Sequence, residues 1–247
     1  MFSGYYTIAS GLITNQHAIE TIGNNIDNIN TPGYCAGRTV RSAFEQQLLS
    51  RLDAQGNASL GSQKGFPIAT VSGTTTSFEP GSIKQTDRNM DVAINGDGFF
   101  VIKGTGGQNY LTRNGSFSVD DEGYLQLAGS GRVQGALGDI HVGTSDIQID
   151  PAGIISDAQG NMLGTLSIVQ PADLKSLTRA DNGLFTGGGN TPSTSFEIVQ
   201  GSLEQSNVDM NTEITDLIAA QRDLQSCASA LKIIDTLDRK SADIASV

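Results

Sequence analysis

The sequence predicts an α+β protein whose long N- and C-terminal helices pair as a coiled coil, with a central β-rich domain of meander or irregular-barrel type. Three observations predict it. Apolar residues recur at helical spacing at both ends of the chain. The middle lacks that period and carries short strand-like runs separated by turn signatures. The composition, 30 glycines, no tryptophan and only 17% charged residues in 247, has the small-polar surplus of turn-rich β structure. These signals divide the chain into an N-terminal helical segment (1–34), a connecting arm (35–73), a central β domain (74–200) and a C-terminal helical segment (201–247).

At the N-terminus Tyr5, Leu12, Ile19 and Ile26 fall seven apart, with Ile8, Asn15, Ile22 and Ile29 as the companion row. The pattern stops at Asn30-Thr31-Pro32-Gly33, where Pro32 pushes Thr31 out of helical geometry and Gly33 permits a left-handed turn. Residues 41–52 read as a further short helix or an extended arm, and 54–77 as an irregular crossing segment.

In the centre, Asp91-Val92-Ala93-Ile94 and Phe99-Phe100-Val101-Ile102 flank the turn Asn95-Gly96-Asp97-Gly98, and Tyr110-Leu111-Thr112 and Ser116-Phe117-Ser118-Val119 flank Arg113-Asn114-Gly115. Both read as hairpins. Asp-x-x-Gly recurs at Asp120, Asp150 and Asp157, each followed by apolar residues; Asp first and Gly fourth suit a type I turn. A last strand runs through Phe196 to Gln200. Asn207 or Asp209 is then placed to cap a helix from Met210 to about Ala245, with Glu213 complementing its dipole. Met210, Leu217, Leu224 and Leu231 repeat at seven along it, flanked by Ile214, Ala228, Ile234, Leu237 and Ile244, and Gln221 and Arg222 interrupt the seam. At 1.5 Å per residue it spans roughly 50 Å.

The chemistry-bearing inventory is small. A net charge of −11 and a pI near 4.4 exclude a phosphate-binding basic face and so nucleic acid. No run of 18 apolar residues offers a membrane span, and Met1 to Tyr5 lack the basic start and apolar run of a secretory signal, which by ordinary rules keeps the chain in the cytoplasm. Cys35 and Cys227 fit no metal spacing and read as two free thiols or, if the terminal segments pair, as one disulfide joining the ends. His17 and His141 read as surface or packing residues, and Asp120-Asp121-Glu122 as a solvated turn without the alternating ligands of a calcium loop. No phosphate-binding loop and no nucleophile elbow is present. No enzyme activity, cofactor or metal is expected.

The motifs themselves are specific. Asn24-Asn25-Ile26-Asp27-Asn28-Ile29-Asn30-Thr31-Pro32-Gly33-Tyr34 resembles the N-terminal signature of the bacterial flagellar rod and hook protein family. The stretch from Asp91 to Phe100 and that from Tyr110 to Phe117 resemble its central motif. Glu204-Gln205-Ser206-Asn207-Val208, with Glu213 and Ile218-Ala219-Ala220-Gln221-Arg222, resemble its C-terminal signature. A basic residue often follows the Gly-Tyr pair in this family; here Cys35 stands there and Arg38 is the next cation. Length favours a rod member, distal or proximal, over a hook or hook-junction subunit. A secreted β-rich adhesin on a helical stalk shares the composition.

The resemblance implies a structural subunit exported unfolded by the flagellar type III apparatus, with no membrane insertion. It implies polymerisation into a hollow tube with copies of itself and with other rod and hook subunits in the basal body, outside the cytoplasmic membrane. The expected assembly surface is then Tyr5, Ile8, Leu12, Ile19, Ile22, Asn25, Ile26, Asn28, Ile29, Asn30, Pro32, Gly33 and Tyr34 at the N-terminal end, and Met210, Ile214, Leu217, Gln221, Leu224, Ala228, Leu231, Ile234 and Leu237 at the C-terminal end.

Overall fold

The computed structural model describes residues 2–43, 51–52, 58–59, 69–104, 106–180, 183–193 and 195–245. Helix α1 spans Phe2–Asp27 and helix α2 spans Met210–Ala245, with short strands between them. The chain forms two compact units: one of Met1–Asn25, Gly37–Thr75 and Met210–Val247, the other of Ile26–Ala36 and Thr76–Asp209.

In the first unit α1 and α2 lie alongside one another, antiparallel. Asn25 Nδ2 donates to Glu213 Oε1 at 3.1 Å, and Asn15 Nδ2 lies 4.0 Å from Cys227 Sγ, the same sulfur that borders Gly11. Both contacts fit one register, Gly11 opposite Cys227 and Asn25 opposite Glu213, which sets Ala18 opposite Ala220; both alanines are buried. The facing rows, Gly11, Ala18, Asn25 and Glu213, Ala220, Cys227, are each spaced seven apart. On α1 this is one position before the expected row of Leu12, Ile19 and Ile26, whose members are only half-buried. Small side chains let two helix backbones approach, so the seam turns toward them and the bulkier rows are carried to its flanks. Among the described residues the unit also holds the strand Gly37–Ala43 paired with Ala69–Thr76, and Arg51–Leu52 paired with Ala58–Ser59. Residues 41–43 and 51–52 are therefore strand, the extended alternative rather than the helix, and 58–59 and 69–76 are strand rather than irregular crossing; 44–50, 54–57 and 60–68 of those two expectations lie outside the described residues.

The second unit is built on an antiparallel sheet ordered Thr178–Arg179, Phe185–Thr186, Asn109–Thr112, Phe99–Lys103, Gly131–Gly135, Leu125–Leu127, Phe117–Val119. Ile168–Pro171 joins it, pairing with Phe99–Lys103 and with Asn190–Pro192. A three-stranded meander of Ile147–Ile149, Ile154–Asp157 and Met162–Thr165 covers further core. The strand Phe99–Lys103 is buried at its first four positions because its two faces serve two cores. Phe100 and Ile102 join Phe117, Leu125, Val133 and Ile155; Phe99 and Val101 join Cys35, Leu111 and Phe185.

Neither expected hairpin forms. Val92–Gly96 pairs with Phe196–Gln200, and Phe117–Val119 pairs with Leu125–Leu127. Continuous apolar runs need cover on both faces, which a two-stranded hairpin does not supply. In the second case Thr112 Oγ1 accepts from the Asn114 N–H at 3.1 Å and Asn114 Oδ1 from the Ser116 N–H at 3.0 Å, a local turn that carries the chain onward to a different partner. The Asp-x-x-Gly turns do form: Asp120, Asp150 and Asp157 each accept the N–H two residues on, and Gly123, Gly153 and Gly160 take φ of 86°, 84° and 85°.

The two residue environments give opposite expectations. Phe100, fully buried with its ring 5.0 Å from that of Phe117, should cost about 3–5 kcal/mol on replacement by alanine, read from urea unfolding. Leu137→Ala, at a fully exposed turn, should stay within about 0.5 kcal/mol.

Candidate assembly site

The site residues divide between the two units. In the first, Asn25 is the central side chain. Its Oδ1 accepts the Gly37 N–H and its Nδ2 donates to the Gly37 carbonyl, both at 2.9 Å, while Nδ2 also reaches Glu213. One amide thus mimics a peptide in a strand pair and ties the end of α1, the strand starting at Gly37 and the first turn of α2. It is 1% exposed, so its bonds are shielded from water. Beside it lies a cleft of about 290 Å³ lined by Ala18, Ile22, Arg38, Asp216, Ala219 and Asp223 among others.

Along the helices, Tyr5, Met210, Ile214, Gln221, Ala228 and Leu237 are exposed. Ile8, Leu12, Ile19, Ile22 and Ile26 on α1, and Leu217, Leu224, Leu231 and Ile234 on α2, are half-buried. Ile13, Ile218 and Ile233, absent from the expected set, are exposed as well. A seven-residue count selects single rows, and these three lie beside the rows that were counted.

In the second unit, residues 28–36 form a run of turns. Thr31 Oγ1 donates to Asn28 Oδ1 at 3.1 Å, and Gly33 turns the chain at φ 67°. The Gly33 N–H donates to the Glu204 carbonyl at 2.8 Å, and a Cβ there would be driven into the backbone of Arg113 and Asn114. Tyr34 and Ala36 pack with Val208 and Ile29; Pro32 is half-buried and Asn30 exposed.

Glu204 and Asn207 organise this junction. The Glu204 carboxylate pairs with Arg113 at 3.3 Å and accepts the Gly81 N–H at 3.0 Å; both charged side chains are buried, and the guanidinium also stands over the Phe99 ring. Asn207 accepts the Ala36 N–H at 2.7 Å and donates to the Ser77 and Glu79 carbonyls. It is thus not the cap of α2, which begins directly after Asp209. Burial pushes the Cys35 thiol up to about 11, the charge of Glu204 adding to it and Arg113 and Arg179 opposing it. Arg179 donates to Tyr34 Oη at 2.8 Å and to the Cys35 carbonyl. The sequence marks Arg113 and Glu204 as motif letters without a role and Asn207 as a candidate cap, and gives no sign of Arg179, which lies in no motif.

Elsewhere, His17 pairs with Glu20 on the surface, His141 packs edge-on to Tyr124, and Arg132 gathers Asp120 and Glu122 at 2.8 and 2.6 Å. Among the described residues no group of His, Cys, Asp and Glu is spaced to hold a metal, and no helix is long and apolar enough to cross a membrane.

Arg113, Glu204, Asn207 and Arg179 are each spent on holding chain segments in place, as suits a structural subunit. The comparisons with known proteins agree. Residues 6–34 match the model of the flagella basal body rod protein, 93–157 that of the flagellar hook protein FlgE/F/G D1 domain, and 199–244 that of the flagellar basal body rod FlgEFG protein C-terminal region. The chain is 30% identical to the flagellar basal-body rod protein FlgF of Caulobacter vibrioides over 98% of each chain. It is 32% identical to the FlgG rod protein of Bacillus subtilis over 96% of each. A flagellar hook-basal body complex protein, FlhP of Bacillus subtilis, is 28% identical over 91% of this chain and 93% of the relative. The chain belongs to the flagellar basal-body rod protein family: it is a structural rod subunit of the basal body, not an enzyme.

Truncating Glu204 to alanine strands Arg113 in the interior and should cost about 3–5 kcal/mol in chemical denaturation, with the double replacement Arg113→Leu/Glu204→Leu costing less than that. The thiol supplies a pH signature. In the fold Cys35 keeps its proton up to about 11, whereas the unfolded chain loses it near 9.0, so its contribution to stability is complete below 9.0 and falls as pH rises toward 11. Urea midpoints measured across that window should decline less steeply in Cys35→Ser than in the parent.

Proposed function

We propose that this rod subunit polymerises through its terminal helices into the wall of a hollow helical shaft, packing against copies of itself and against other rod and hook subunits. The observation that carries this reading is the distribution of apolar residues on α1 and α2. The intrachain seam is made of Gly11, Ala18, Ala220 and their neighbours, while Tyr5, Ile13, Met210, Ile214, Ile218, Ile233 and Leu237 stay exposed on the single chain. Exposed apolar residues repeated along a helix mark a surface made for other protein. Within the shaft the helix pairs supercoil, with Leu12, Ile19 and Ile26 and with Leu217, Leu224 and Leu231 entering the contacts between subunits.

Delivery follows from the same seam. Ordering the backbone costs about 1–2 kcal/mol per residue, and a small-residue seam returns little apolar area against it. The ends are therefore easily held unfolded for passage through the flagellar type III apparatus, and are ordered where neighbouring copies cover them. The functional segments are 1–34 and 201–247 for assembly, 74–200 as the body of the subunit and 35–73 as the arm. Similarity to FlgF and FlgG over nearly the whole chain supports a place in the rod, proximal or distal, rather than in the hook.

The test is a pair of substitutions that leaves the monomer alone. Ile214→Asp with Ile218→Asp, both at exposed positions, should alter monomer stability by only about 0.5 kcal/mol. Concentrated parent protein should form tubes by electron microscopy and the double variant should not; tubes at parental concentration from the double variant would remove the helices from the assembly surface.

A further inference from the structure

Residues 158–198 fall between the segments that the family models match, yet one side chain from this stretch grips the N-terminal signature. Arg179 sits on the strand Thr178–Arg179, held in register by the pairing of Arg179 with Phe185, whose own partner is Leu111 of the main sheet. From that fixed position its guanidinium makes four contacts. It donates to Tyr34 Oη at 2.8 Å and to the Cys35 carbonyl, and it lies 4.7 Å from the Tyr34 ring centroid and 5.7 Å from that of Phe185. A planar, forked cation is the side chain able to donate twice in one plane while stacking on rings.

Other ties on residues 28–36 are backbone or motif contacts: the Glu204 carbonyl holds Gly33, Asn207 holds the Ala36 N–H, and the Ser77 N–H donates to the Ala36 carbonyl. Between Gly33 and Ala36, Arg179 is the side chain that reaches the Tyr34 hydroxyl and the Cys35 carbonyl, while the Asn207 N–H donates to the Tyr34 carbonyl at 3.3 Å. Below it Cys35 is buried among Phe99, Val101, Leu111 and Phe185. Removing the guanidinium leaves the Cys35 carbonyl without that donor and the Tyr34 hydroxyl without that partner, next to a thiol whose exposure can be read chemically.

From this geometry we infer that Arg179 is the positioning residue that docks the turn after α1 onto the β unit, and that this docking serves assembly. The second clause rests on the reading that the chain polymerises. Arg179 acts as a latch supplied by this chain's own intervening segment, and Lys in its place reaches one acceptor instead of two.

The experiment follows alkylation of Cys35 by iodoacetamide in the full-length chain, resolved from Cys227 by mass spectrometry, alongside polymerisation. Ile155→Val, a core change away from the turn, serves as the reference, with urea set so that both variants have equal global stability. Arg179→Ala should then label Cys35 about tenfold faster than the reference, Arg179→Lys should fall between them, and Tyr34→Phe, which keeps the ring and the carbonyl contact, should rise least. Arg179→Ala should also assemble more slowly than Ile155→Val. Equal labelling of the two at matched stability would overturn the docking role. Faster labelling with assembly at the reference rate would overturn its service to assembly. If the parent chain itself does not polymerise, the assembly reading fails, and the labelling comparison still decides the docking.

Discussion

Glu204 is the residue on which the second unit depends. Its backbone carbonyl takes the Gly33 N–H, its carboxylate takes the Gly81 N–H, and the same carboxylate neutralises Arg113 in the interior. A charge with so little contact with water is tolerated only if paired and fully hydrogen-bonded, so each of these partners is as constrained as Glu204 is. Arg113 is 91 residues away in sequence, which makes one ion pair the place where the N-terminal, central and C-terminal signatures meet. Residues of all three signatures thus meet within the second unit.

The first unit repeats this logic with a neutral group. Asn25 joins Gly37, twelve residues on, to Glu213, 188 residues on. A buried amide contributes direction more than strength, because it must be matched by donors and acceptors at fixed angles. In each unit a buried polar side chain thus helps decide which segments come together, Asn25 in the first and Glu204 in the second.

Much of the fold was legible in the chain. The 3.5-residue periodicity located α2 to the residue at its start, and the Asp-x-x-Gly signatures located three turns, because both depend on local backbone chemistry. Strand pairing was not legible. Phe99–Lys103 and Val92–Gly96 are correct as strands, but the first pairs with Asn109–Thr112, Gly131–Gly135 and Ile168–Pro171 and the second with Phe196–Gln200, partners mostly far along the chain and chosen by burial on both faces. Within the chain, α1 meets α2 along Gly11, Ala18 and Asn25, a row that counting large apolar residues does not pick out because small residues permit the closer approach. For the site, the motif letters marked Gly33, Tyr34, Glu204 and Asn207 but not what each one touches. Arg179 carried no signal, as a lone cation on a two-residue strand has no pattern to stand out from.

The facing rows of α1 and α2 also set what a mistake would look like. Sliding one helix by seven residues preserves the spacing, so the alanines and the glycine would fit almost as well as before. The polar pair would not. In one direction Glu213 comes to lie against Ala18, in the other Asn25 comes to lie against Ala220, and a buried polar group without a partner costs about 1–3 kcal/mol. Because the small-residue contact returns so little free energy, that penalty is a large fraction of the whole. The hairpin works as a keyed fastening: weak enough to be undone, and closed stably in only one alignment.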